Sequence, residues 1–68
     1  MEFSKQEKAV IFEECFNLLS NLWYDNNCKL PELTDRQRAA QSVAIAMAKD
    51  RGFFEKLSKT ERSILGIK

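Results

Sequence analysis

Histidine is absent from this 68-residue chain. Its absence removes the commonest general base, the commonest metal ligand and the usual partner of a serine or cysteine nucleophile. With only two glycines and one proline, the chain has little room for long loops, so it is expected to be folded throughout as one domain over residues 1–68. Two cysteines, Cys15 and Cys28, are too few for a disulfide framework or a zinc set. Both are expected to be reduced, in a cytoplasmic setting. The longest apolar runs, Ala9–Phe12 and Val43–Ala48, are far too short to cross a bilayer. No basic stretch followed by an apolar run marks a signal peptide, so no membrane role is expected.

Phosphate-cradling glycine loops, dinucleotide fingerprints, calcium loops and paired-cysteine zinc motifs are all missing. Glu13-Glu14 is an adjacent acidic couple, but on a helix the two side chains diverge by about 100° and cannot converge on one atom. The sequence therefore predicts no enzyme activity, no cofactor and no metal.

What is present is a motif that occurs three times. Ser4-Lys5-Gln6-Glu7, Thr34-Asp35-Arg36-Gln37 and Ser58-Lys59-Thr60-Glu61 each place a hydroxyl residue three positions before Glu or Gln, behind an apolar residue. This is the capping-box pattern, in which each end of the box satisfies an orphan amide of the other. Three boxes mark three helix starts. The expected fold is all-α, a small single-domain bundle of three or four helices spanning about 5–25, 35–51 and 59–65.

On the first helix, Ile11, Cys15, Leu18, Leu19, Leu22, Phe12, Phe16, Trp23 and Ala9 share one half of the helical wheel. That arc of roughly 180° is wider than the ~100° stripe a surface helix needs. Such a helix sits between two neighbours or keeps apolar surface for a partner. Asn26 and Asn27 tolerate a left-handed stop, and Pro31 keeps the connection extended, with Leu30 and Leu33 expected to tuck under the bundle. The second helix stops at Gly52, and its apolar face is read as Ala39, Ala40, Val43, Ala44, Ala46, Met47 and Ala48. Phe53 and Phe54 fold back over the bundle, with residues 53–57 as a short helical turn of their own. Ile64, Leu65 and Ile67 close the core.

Charge is unevenly spread although the net value is only +1. Residues 1–34 hold three lysines against six acids, and residues 35–68 hold eight Lys or Arg against four acids. Mutual attraction of the two halves across the fold is the plainer reading of this asymmetry, and a basic binding face on the second half is the other.

Two candidate partner surfaces follow. One is the edge Ile11, Leu18 and Leu22, the part of the wide arc a monomer would fail to cover, suited to a homodimer seam or a partner groove. The other is the stripe Arg38, Ser42, Ile45 and Lys49 on the second helix, with Ile45 as an apolar anchor between two cations unless Phe53, Phe54 or the third helix covers it. A helix-turn-helix reading is weaker, because the third helix is only about two turns long and the connection before it lacks the compact turn that motif uses. The expected role is a stand-alone protein-interaction module, a regulator or inhibitor acting by occupying a macromolecular partner. Phage or mobile-element modulators of host proteins fit that description as a class. A nucleic-acid-binding accessory protein using the basic second half is the alternative.

Overall fold

The computed structural model describes residues 2–67. It is all-α: α1 (Lys5–Asp25), α2 (Asp35–Asp50), a 3-10 turn (Phe54–Lys56) and α3 (Lys59–Ile64). All three capping boxes form with both of their hydrogen bonds. The amide of Ser4 donates to Glu7 Oε1 at 2.9 Å and Glu7 N donates back to Ser4 Oγ at 3.1 Å. Thr34 with Gln37 and Ser58 with Glu61 repeat the arrangement.

The helix ends are equally regular. Gly52 (φ 78°) and Gly66 (φ 72°) lie in the left-handed region just past α2 and α3. Around them Phe53 N donates to Ala48 O and Gly52 N to Lys49 O, and Ile67 N donates to Arg62 O and Gly66 N to Ser63 O. These paired bonds are Schellman closures, which consume carbonyls the helix leaves orphaned. At the end of α1, Asn27 (φ 57°) takes the left-handed position and Cys28 (φ 61°) follows it there, its amide reaching Trp23 O at 2.9 Å. Arg51 and Leu65 act as caps rather than helical residues, so α2 and α3 each end one residue earlier than expected.

The two long helices form an antiparallel hairpin. Lys8, near the start of α1, pairs with Asp50 at the end of α2, the one ion pair among the described residues. It joins a cation of the acidic first half to an acid of the basic second half, opposite to the attraction expected from the charge asymmetry.

The buried core consists of Leu19 and Trp23 of α1, Ala44 and Ala48 of α2, and Leu57, Ile64 and Leu65. Around it pack Phe12, Cys15, Phe16, Leu30, Leu33, Ile45, Phe53, Phe54 and Ile67. Phe12 meets Phe53 edge-on at 5.0 Å, and the Trp23 indole N–H donates to Ser63 Oγ at 3.1 Å. The 3-10 turn and α3 therefore form a second layer on one face of the hairpin. The chain is a slab, 35 × 25 × 15 Å, in which that second layer covers only one side of α1 and α2.

Candidate functional site

Helix geometry decides which residues lie on the bare side. At about 100° per residue, Leu18, Leu22 and Ile11 fall to one side of the buried Leu19, and Phe12, Trp23 and Phe16 to the other. Phe12 meets Phe53 and Trp23 meets Ser63 in the second layer, with Phe16 stacked on Phe12, so Leu18, Leu22 and Ile11 face away from that layer. In an antiparallel pair of right-handed helices the same sense of rotation carries over to the second helix. Val43 and Met47 thus lie on the same open face as Leu18, whereas Ile45, on the other side of Ala44, turns toward Phe54 and the second layer.

Exposure follows this division in part, since Tyr24 and Val10 on the outward side of α1 are more exposed still. Leu18 is 42% and Val43 36% exposed. Ile11, Leu22, Ala40 and Met47 are half-buried and stand apart from the apolar residues packed on the core. A shallow hollow lined by Glu14, Leu18, Leu22 and Asp25 runs along the outer border of this face, and another, lined by Phe3, Glu7, Val10 and Ile11, continues it toward the start of α1. The apolar strip is bordered on α1 by three carboxylates, Glu7, Glu14 and Asp25, all exposed. The Glu7 carboxyl sits below its ordinary pKa because the Ser4 amide and then the Ser4 hydroxyl donate to it, so its charge persists into mild acid. Along α2 the border adds Asp50, which Lys8 pairs, and one cation, Arg36.

The first of the two surfaces expected from the sequence, Ile11, Leu18 and Leu22, is thus one continuous edge of the open face. Val43 and Met47, assigned to the core from sequence, join it. Ala39 and Ala46 are also exposed rather than part of the core face.

The second surface is altered. Arg38, Ser42 and Lys49 are exposed, but Ile45 is half-buried and packs against the core. It is not available as a projecting anchor between the two cations, because Phe54, beneath Lys49, and Leu65, held by Gln41, lie on its side of α2. Lys49 stands over the Phe54 ring at 5.0 Å and Arg62 over the same ring at 5.7 Å, while Arg51 lies 5.1 Å from the Phe53 ring centre. Cations stacked in this way clothe the back of the second layer, and each such contact is worth on the order of 0.5–1 kcal/mol at an exposed site.

Chemistry on the molecule is otherwise sparse. No group of three Cys, Asp or Glu side chains gathers as a metal site among the described residues. Burial, and secondarily the neighbouring Glu14 charge, pushes the Cys15 thiol up from its ordinary pKa, which disfavours the thiolate. Among the described residues no helix is long and apolar enough to cross a membrane.

The fold and this surface define a class: a small two-layer helical protein with one bare apolar face. No family model matches the chain, and no curated protein or solved structure matches it.

Proposed function

We propose that the chain is a small protein-interaction module, a binding protein rather than an enzyme, that regulates or inhibits a partner by docking it on the open face of the α1–α2 hairpin. The observation that carries this reading is the one-sided second layer, which leaves Leu18 and Val43 exposed on a strip continuous with Ile11, Leu22 and Met47. Exposed apolar residues scattered singly need no explanation, but a contiguous strip with a polar border marks an interaction surface.

Surface area agrees with the one-sided layering. A compact monomer of 7.9 kDa should expose about 4,400 Å². This chain exposes 5152 Å² in all, about 750 Å² more, as a 35 × 25 × 15 Å slab with one uncovered side should.

The test is position-specific cross-linking. A photoreactive amino acid is placed at Leu18, at Val43 and, on the opposite side, at Lys56, and the protein is irradiated in lysate of the cells that naturally contain it. Adducts of one mass from positions 18 and 43, without that adduct from 56, are expected. An adduct to protein or nucleic acid from position 56 alone would move the function to the basic back and end this reading.

A further inference from the structure

Resting on that reading, we infer that the occupant of the open face is a basic amphipathic helix of another protein, rather than a second copy of this chain. The face has the form a helix seats in: two parallel rows of apolar side chains, Ile11, Leu18 and Leu22 on α1 and Val43 and Met47 on α2, with the small Ala40 one turn before Val43. A helix presenting apolar residues at i, i+3 or i+4 and i+7 fits such a seat.

The border supplies the sign of the charge. Glu7, Glu14 and Asp25 follow one another along the α1 side, Asp50 is neutralised by Lys8, and Arg36 is the one cation the two helices add. An occupant with lysines or arginines flanking its apolar stripe would meet those carboxylates. A second copy would bring the same three carboxylates to the seam with one Arg36 to answer them, and like charges held together there oppose association. The same border repels an anionic membrane surface or a nucleic-acid backbone, so the acidic rim selects among occupants as well as attracting one.

Two synthetic amphipathic peptides of equal length test this, identical in their leucine stripe, one flanked by lysines and the other by glutamates. Binding is read by fluorescence anisotropy, and the oligomeric state of the protein by light scattering across a dilution series. The lysine peptide is expected to bind about ten-fold more tightly or better, as several rim ion pairs replace repulsion. That preference should shrink with added salt and reverse in the Glu14→Lys/Asp25→Lys variant. Leu18→Glu should abolish binding of both peptides. Since it adds an acid, association driven by charge alone would strengthen instead.

Equal binding of the two peptides, lost with Leu18→Glu, would overturn the basic-helix inference while the docking face itself stands. Lysine-peptide binding that survives Leu18→Glu would overturn both. So would the failure of both peptides to bind. A solution mass of twice the chain that falls to the monomer value with Leu18→Glu would assign the face to a second copy and end the inference.

Discussion

The two glycines offer a controlled comparison of the same substitution in the same backbone geometry. Gly52 and Gly66 both follow a helix with φ in the left-handed region, at 78° and 72°. Alanine there costs about 1–2 kcal/mol of steric strain, partly offset by the reduced freedom of the unfolded chain, which leaves about 1 kcal/mol of destabilisation at either site. The surroundings then separate them. A Cβ on Gly52 would meet nothing within 4 Å, whereas a Cβ on Gly66 would lie 2.4 Å from Gln41 Nε2 and 3.1 Å from Leu30 Cδ1. The Gln41 amide is donating to Leu65 O at 2.8 Å, so making room means breaking the bond that ties α2 to the end of α3. Losing such a bond costs a further ~1 kcal/mol.

Gly52→Ala should therefore lower stability by about 1 kcal/mol and Gly66→Ala by about 2, or roughly 4–8 °C against 8–16 °C in melting temperature for a domain of this size. Urea and thermal unfolding followed by far-UV circular dichroism measure both. In a Gln41→Ala background the extra cost at Gly66 should vanish, giving a coupling of ~1 kcal/mol in the double-mutant cycle. Equal costs at the two glycines, or additive effects of Gln41→Ala and Gly66→Ala, would refute the placement of Gln41 against the end of α3.

Alkylation should distinguish the two thiols. Cys28 is exposed and Cys15 is half-buried with its pKa raised by burial, so a limiting dose of iodoacetamide should label Cys28 first and reach Cys15 only once denaturant is added; comparable rates in the native protein would contradict the packing of Cys15 against the core. Acid should loosen the start of α1: Glu7 has a depressed folded-state pKa, so the stability it lends is complete above the unfolded value and is lost as pH falls through the folded one. Its carboxyl resonance should titrate below that of free glutamate, and move only partway back in Ser4→Ala, because the Ser4 amide is the larger cause; titration at the free value in the wild-type chain would mean that the box does not form in solution.

How far the sequence reveals this structure depends on how local each determinant is. Ser4, Thr34 and Ser58 reveal their helices because a capping box is complete within four residues. The surplus on α1 was visible for the same reason, since nine apolar residues of differing size weight one half of the wheel unmistakably.

On α2 the buried face keeps Ala44 and Ala48 but is turned from the arc its apolar residues suggest. Five of its residues are alanines, which pack in a core or face water with little penalty, so they hardly orient a helix. The decisive residues were Ile45 and two that look polar, Gln37 and Gln41, both half-buried. Gln37 closes a capping box, and Gln41 reaches a backbone carbonyl twenty-four positions away, a partner that no spacing rule exposes. Lys8 with Asp50 and Trp23 with Ser63 were hidden for the same reason, being pairs that only the hairpin and its second layer bring together.

The separation of core and face residues on α1 explains why the bare side persists in a chain so short. At 1.5 Å per residue α1 is about 31 Å long, while the six residues of α3 supply about 9 Å and the 3-10 turn only a little more. That much helix covers one side of the hairpin and no more. Phe12, Phe16 and Trp23 use it, and they are large enough to hold the fold together without Leu18, Leu22 or Ile11 contributing to the same cluster. The open strip is consequently free of structural duty at Leu18, where a charged substitution should leave the helical signal and melting temperature nearly unchanged. Ile45→Glu, which places a charge at a half-buried position against the second layer, should lower the melting temperature well below that of Leu18→Glu. A face that can be altered without disturbing the fold is one whose apolar character the fold does not require, and that is the physical reason to assign it to a partner.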